Sequence, residues 1–129
     1  MNWTRGIYEI LTGDATVSSV VSTRVYPLVA PEGTAMPFVT YEVTGSTIMH
    51  TKEKAEAQLA QIELVAYAAE YGDAVTVGGA VRNALKRESY ELGAISIDKI
   101  FIDDESLERL EDPERYAFVL QVQAFVPYK

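Results

Sequence analysis

The chain has 129 residues, of which 48% are hydrophobic, so we expect one globular domain, residues 1–129, with a single core. It has no cysteine, which excludes disulfides, thiolate metal sites and cysteine nucleophiles. Its 11 basic and 19 acidic residues give a formal charge of -8, so the average surface repels phosphate groups and tight binding of nucleic acid is not expected.

Localisation signals are missing from the sequence. No stretch approaches the roughly 20 apolar residues that a membrane helix needs, and the polar start around Asn2 is unlike a secretion signal. No Ser-rich, Pro-rich or Gly-rich tract divides the chain. We therefore expect a soluble protein that is made in a cytoplasm.

The N-terminal segment has helical spacing. Apolar residues recur three to four positions apart between Thr4 and Leu11, which predicts a short amphipathic helix ending near Gly13. Asp14 is placed to cap a second helical stretch. That stretch is rich in valine, a β-branched residue, so tertiary contacts must hold it in a helix.

Two strands with a loop between them follow. Arg24–Leu28 is a short β-rich run, and the Pro and Gly residues of Ala30–Thr34 indicate a surface loop. The β-branched and aromatic segment that starts at Pro37 predicts a strand ending at Gly45.

In the next segment, a polar run is followed by alternating polar and apolar residues. We interpret Gly45–Glu56 as a long hairpin connection. Gln58–Val65 has near-alternation of polar and apolar residues, which predicts a strand with one wet face. A helix is the competing interpretation, because Ala57–Ala60 contains good helix formers.

The long amphipathic helix is predicted from about Asp73 to Arg87. Asp73 is its predicted N-cap, and Lys86 and Arg87 lie where the helix dipole favours cations. Gly78 and Gly79 interrupt the pattern and would each cost about 1 kcal/mol relative to alanine. We expect a close backbone contact there, with the sheet as the neighbour.

A hairpin completes the fold. Strands are predicted around Ile95–Ile102 and over Tyr116–Val126, joined by the acidic connection Asp103–Glu114. The order of elements suggests an α+β fold in which a mainly antiparallel sheet of about four to five strands carries the long helix and the short N-terminal helical segment on one face.

Catalytic signatures are absent from the sequence. There is no GxxxxGK[ST], GxGxxG or HExxH motif and no glycine-bracketed nucleophilic serine. His50 has no second histidine with which to share a metal or complete a triad. We predict a protein that is not an enzyme and has no catalytic, cofactor-binding or metal-binding residue.

Two loops supply candidate interaction residues. The acidic connection is either a solvated hairpin tip and subunit contact or a divalent-cation site, although it lacks the glycine and the alternating ligands of a calcium loop. The apolar pair Ile48-Met49 in the 45–56 connection would be costly to expose unless a partner covers it or it folds back onto its own domain. The candidate interaction residues are Ile48, Met49, His50, Asp103, Asp104, Glu105, Arg109, Glu111 and Asp112.

Three stretches together resemble the phage tail completion or tail terminator family. They are the N-terminal helix leading into Arg24-Val25-Tyr26-Pro27-Leu28, the Pro-Gly loop leading into Met36-Pro37-Phe38-Val39, and the closing strand Tyr116–Val126. The resemblance implies a virion structural subunit that forms a hexameric ring on the head-proximal end of the tail tube. It implies the tail tube protein and the head-tail connector as partners, and assembly in a bacterial cytoplasm. DNA would only pass through the ring as cargo.

Other functions remain open at this point. A head-closure or minor capsid protein of a phage or prophage would have the same general character. A small cation-binding or ligand-binding α+β protein would use the acidic connection. A regulatory module that binds nucleic acid is disfavoured because the sequence has no basic patch.

Overall fold

Two helices open the described part of the chain. The computed structural model describes residues 4–50, 55–86, 90–92, 95–97, 99–111 and 114–127. Helix α1 spans Thr4–Gly13 and helix α2 spans Ala15–Val21. Between them, Oδ1 of Asp14 accepts hydrogen bonds of 3.0 Å from the N–H groups of Thr16 and Val17. These bonds satisfy donors that the first helical turn leaves free, so the predicted cap is confirmed.

The cap of α2 can be tested directly. We expect Asp14→Ala to lower the free energy of unfolding by about 1 kcal/mol, because two backbone donors lose their acceptor. Urea denaturation followed by circular dichroism measures this. Asp14→Asn is the control, since its side-chain carbonyl can accept the same bonds and should keep most of the stability. Equal losses in the two variants would contradict the capping role.

The sheet has five strands in the order β1-β2-β3-β7-β6, and β4 and β5 form a separate pair. The α+β prediction is confirmed, but the sheet is mixed, because β1 runs parallel to β2 while the other neighbours are antiparallel. The remaining elements are β1 (Val25–Pro27), β2 (Phe38–His50), β3 (Ala55–Ala68), α3 (Tyr71–Leu85), β4 (Tyr90–Leu92), β5 (Ile95–Ile97), β6 (Lys99–Leu110) and β7 (Arg115–Pro127).

The core lies between the sheet and the helices. Alternate residues of β3 and β7, such as Ile62 and Leu120, point into a buried cluster with Leu11 of α1 and Val81 of α3. We call the side of the sheet that carries these residues the helix face. The residues of opposite parity make the open face, where Gln121 Nε2 donates a 2.8 Å hydrogen bond to Glu63 Oε2. In the described ranges, no helix is long and apolar enough to cross a membrane.

Gly78 is a point of close contact between α3 and the sheet. A Cβ atom at this position would overlap the ring of Phe118 on β7, whereas one at Gly79 would meet nothing within 4 Å. The close contact predicted for the glycine pair is therefore confirmed, and Gly78 provides it.

The ends of α3 differ from the prediction. The helix begins at Tyr71, two residues before Asp73, and the N-cap position belongs to Glu70, which makes no side-chain cap bond. Ala74 N–H donates to Glu70 O at 3.1 Å, which closes a turn that already includes Asp73. Asp73 is thus a first-turn carboxylate, still favourable to the dipole. Lys86 follows the helix, and residue 87 lies outside the described residues.

The predicted connection is wrong for residues 45–50 and 55–56, which belong to β2 and β3, and its residues 51–54 lie outside the described residues. The strand predicted for the alternating segment is confirmed, and the competing helix is not formed. The pairing shifts register between Val43 and Gly45. Glycine is tolerated at such a bulge, so Gly45 marks an irregularity within the strand rather than its end.

The predicted acidic connection over residues 103–114 is also wrong. The strand predicted around residues 95–102 is two strands, β5 and β6, and β6 runs through the acidic segment to Leu110. Its pairing with β7 continues down to Leu110 opposite Arg115, which confirms the hairpin itself. An edge strand has water along its outer side, so a run of charges there does not prevent strand formation.

Candidate assembly surfaces

The acidic residues lie on an edge of the sheet. β6 is the last strand in the sheet order, and no described strand pairs with its outer side. Asp103, Asp104, Glu105 and Glu108 are all exposed along it. We call the stretch Asp103–Leu110 the acidic edge. It combines charge with a register shift between Ile102 and Asp104, two features that discourage unwanted strand pairing.

The carboxylates of the acidic edge are divided between the two faces of the sheet. Asp104 and Glu108 are opposite Gln121 and Ala117, which belong to the open face, whereas Glu105 is opposite Leu120 on the helix face. Within the described ranges, no group of three His, Asp or Glu residues is arranged to hold a metal ion. Residue 112 lies outside the described part of the chain.

Glu105 ties the acidic edge to α3. Arg82 Nη1 donates hydrogen bonds of 3.1 and 3.0 Å to the two carboxylate oxygens of Glu105. Arg82 Nε is buried and has no hydrogen-bond partner. The ion pair therefore links the middle of β6 to the helix.

We expect this ion pair to contribute little to stability. Because both side chains are partly exposed, a double-mutant cycle with Arg82→Met and Glu105→Gln should give a coupling of about 0–1 kcal/mol that shrinks as salt is raised. Urea unfolding at low and high ionic strength measures it. A coupling well above that range, unchanged by salt, would mean that the pair is shielded from solvent.

Arg109 bonds within its own hairpin. Its Nε lies 3.2 Å from Glu114 Oε1, and its Nη1 lies 3.6 Å from Glu111 Oε1. All three side chains are more than half exposed. Two of the predicted interaction residues, Arg109 and Glu111, thus lie with Glu114 near the end of the β6–β7 pair and are open to solvent.

A second open edge lies on the other side of the sheet. β1 pairs with β2 from Val39 to Tyr41 alone, so the outer side of β2 has no described strand beyond Tyr41. We call Thr44–Ile48 the neutral edge, because it has neither a charge nor a proline. Ile48 is 49% exposed. The backbone of the next two residues, Met49 and His50, continues the strand.

The loop between β1 and β2 forms an apolar surface that the sequence analysis missed. Leu28 and Val29 are 64% and 78% exposed. The loop borders a cavity of about 480 Å³ that also includes Phe38 and Tyr67, whose rings stack at 4.9 Å. The signal available in the sequence was a pair of adjacent apolar residues next to a proline, which we read as the end of a strand.

Arg24 explains why β1 and the start of β2 belong together. Its Nε donates to Pro37 O at 3.0 Å, its Nη2 donates to Val20 O at 3.2 Å, and Val39 N–H donates to Arg24 O at 2.9 Å. One arginine thus connects the end of α2, β1 and the start of β2. The Arg-Val-Tyr-Pro segment and the Pro-Phe-Val segment are consequently two halves of one structural unit.

Comparison with known proteins identifies the family. Residues 5–127 match the sequence profile described as tail completion protein gp17. The chain belongs to this family. The match includes both sheet edges and the unit that Arg24 holds, so the resemblance drawn from short motifs is confirmed over nearly the whole chain.

A solved structure shares the fold of this family member. It is a chain from the "Virion of native gene transfer agent (GTA) particle", with 21% sequence identity and a TM-score of 0.81. The similarity covers 95% of this chain and 92% of the other. At this identity the likeness shows the fold. No curated protein sequence matches.

Proposed function

We propose that this protein is a virion structural subunit of a tailed phage or prophage, and that it caps the tail tube as a hexameric ring and joins the tail to the head connector. The observation that carries the proposal is the family match over residues 5–127. The virion from which the similar structure comes supports the same setting. The proposed role is mechanical and needs no catalytic group.

The two ends of the sheet support a protein with two different neighbours. One end has the paired strand ends His50 and Ala55, and the opposite end has the apolar loop surface around Leu28 and Val29. In a ring of identical subunits, all copies of one end lie on the same side. A ring would therefore present two chemically distinct surfaces, one for the tube and one for the connector.

The charge of the chain suits a passage for DNA. A formal charge of -8 gives a surface that repels phosphates, so DNA would slide through a lumen of this protein without adhering. On the open face, Glu42 and Glu108 are exposed. If that face lines the lumen, Glu42→Lys with Glu108→Lys should slow or block DNA ejection, and unchanged ejection would contradict a lumen on that face.

The test of the proposed function is the morphology of particles that lack the protein. Electron microscopy of lysates from a deletion strain should show filled heads separate from tails, with tail tubes longer than those of the wild type. Expression of the chain from a plasmid should restore uniform, joined particles. Joined particles with tails of normal length in the deletion strain would overturn the proposal.

The same experiment separates the proposal from its nearest alternatives. A head-closure or minor capsid protein predicts heads that lose DNA next to tails of normal length. A cation-binding protein predicts normal particles together with a melting temperature that rises when a divalent ion is added, because a ligand that binds the folded state alone stabilises it. Either pattern would replace the tail-capping role.

A further inference from the structure

The two open edges differ in chemistry and lie at opposite sides of one sheet. The acidic edge and the start of β6 form one side, and the neutral edge of β2 forms the other. Open edges are sites at which another strand can add through backbone hydrogen bonds. The neutral edge lacks the charges and the proline that commonly protect an edge strand.

The neutral edge is level with the start of β6. Thr47 of β2 pairs with Leu59 of β3, which pairs with Phe125 of β7, which pairs with Lys99 of β6. Gly45 is level with Phe101 by the same route through β3 and β7. Counting the three antiparallel pairings between them, β2 and β6 run in opposite directions. A second copy rotated about an axis along the strands would place its β2 antiparallel to β6 of the first copy, at the same level.

Exposed apolar residues lie at both places. Ile48 is 49% exposed at the neutral edge, and Phe101 is 44% exposed near the start of β6. An edge-to-edge joint would shield both from water. At this register Phe101 would be opposite Gly45 on the open face, and Ile48 would be diagonal to Ile100 on the helix face, so the backbone and side chains of the neighbouring strand would cover them.

The bulge in β6 lies where the joint must end. Tyr41, which pairs with Pro27 of β1, is level with Glu105, so β1 occupies the outer side of β2 from that level onward. The register shift between Ile102 and Asp104 comes just before this level. Because bulges bend a strand, β6 can turn aside there and pass β1 of the neighbouring copy.

Charge favours the pairing of unlike edges. Two copies of β6 joined to each other would bring acidic residues such as Asp104 and Glu108 close to those of the partner, and like charges across a strand pair are destabilising. Pairing the neutral edge with β6 avoids this repulsion. Unlike edges give a head-to-tail contact, which can close into a ring.

We propose that a second copy of this chain adds its neutral edge, Thr44–Ile48, to the start of β6, Lys99–Ile102, so that one continuous antiparallel sheet crosses each joint of the ring. The proposal rests on the proposed function for the ring and specifies how its subunits meet. Ile48 and Phe101 become buried, and the acidic edge stays outside the joint.

Disulfide trapping tests the joint, since the chain has no cysteine of its own. Particles are assembled with the double variant Thr47→Cys, Lys99→Cys and oxidised mildly. Non-reducing electrophoresis should show covalent multimers up to the ring size, because every joint brings the two positions together. Each single variant should remain monomeric, and a mixture of the two single variants should stop at dimers. The control pair, Thr47→Cys with Thr76→Cys on exposed α3, should give no multimers.

The outcomes distinguish the joint from the ring. Rings seen by electron microscopy without disulfides between positions 47 and 99 would overturn the edge joint and leave the tail-capping role standing. Particles in which the chain is present but forms no ring would overturn both. Multimers from the control pair at the same yield would mean that random collisions cause the cross-links, which also overturns the joint.

A charge placed in the joint gives an independent measurement. Ile48→Asp should weaken self-association by at least about tenfold in sedimentation or mass photometry, because an unpaired carboxylate would be buried. Val75→Asp is the matched control, since Val75 is a similarly exposed apolar residue, 41%, on α3. The melting temperatures of both variants show that folding is intact. Equal weakening by the two substitutions would contradict the proposal.

Discussion

Alanine at Gly78 is expected to destabilise the protein by about 1–3 kcal/mol, the usual cost of forcing extra atoms into a packed interior. The new Cβ would overlap the ring of Phe118, whose side chain packs against the buried cluster. The overlap involves the base of the ring rather than a flexible tip, so α3 and β7 must move apart. Urea denaturation followed by circular dichroism measures the loss.

Gly79→Ala provides the matched control for this prediction. The neighbouring position is also helical, but its Cβ would meet nothing within 4 Å, so alanine should stabilise the helix by up to about 1 kcal/mol. Phe118→Leu should recover part of the Gly78→Ala loss by making room. Destabilisation by both glycine substitutions, without recovery in the Phe118 variant, would mean that the contact with Phe118 does not explain the effect.

Removing the side chain of Ile62 is expected to have the largest effect, about 2–5 kcal/mol for Ile62→Ala. Ile62 is completely buried in β3, and its strand neighbours on either side, Val43 and Val122, belong to or pack against the same cluster. Its truncation leaves a cavity in the middle of the sheet. Equilibrium unfolding gives the free energy, and circular dichroism shows whether the fold survives.

Ile62→Val is the graded control for that cavity. It removes one methyl group, so its cost should be about 0.5–1.5 kcal/mol. If the valine variant loses as much as the alanine variant, the effect does not scale with the volume removed. The loss would then not arise from a cavity at Ile62.

The features that the sequence predicted correctly follow from local chemistry. Asp14 precedes a helix and caps it, Gly78 fills a place where a side chain does not fit, and the alternation in β7 gives a strand with one buried face. In each case the residue type limits the backbone or its burial directly. Tertiary structure had little room to change these outcomes.

The two edge strands could not be predicted in the same way, because their polar residues were interpreted as loop connections. Gly45 was interpreted as the end of a strand, but the pairing only shifts register before Gly45, and β2 continues. The acidic run Asp103–Leu110 forms a strand because β7 supplies hydrogen bonds on one side and water surrounds the other. Strand position within the sheet decides these outcomes, and a single sequence does not encode it in its pattern of polarity.

The parallel pairing of β1 was likewise beyond the local pattern. A strand of three residues gives no periodicity to read, and its direction depends on Arg24, which bonds to groups 4 and 13 residues away. The exposed apolar loop around Leu28 was not predicted, for a related reason. Its exposure depends on where β1 places it, and the local sequence does not give that position.

The position of β7 affects how the subunit is made. β7 follows every other described element along the chain, yet it lies between β3 and β6 in the sheet. β3 reaches it across a large separation, for example from Ala57 to Pro127, so this contact forms late and with a substantial loop-closure cost. Until the ribosome has released β7, β6 has no sheet to join. A nascent chain without β7 therefore has no place for β6 in the sheet, and the acidic edge forms only after β7 has been made.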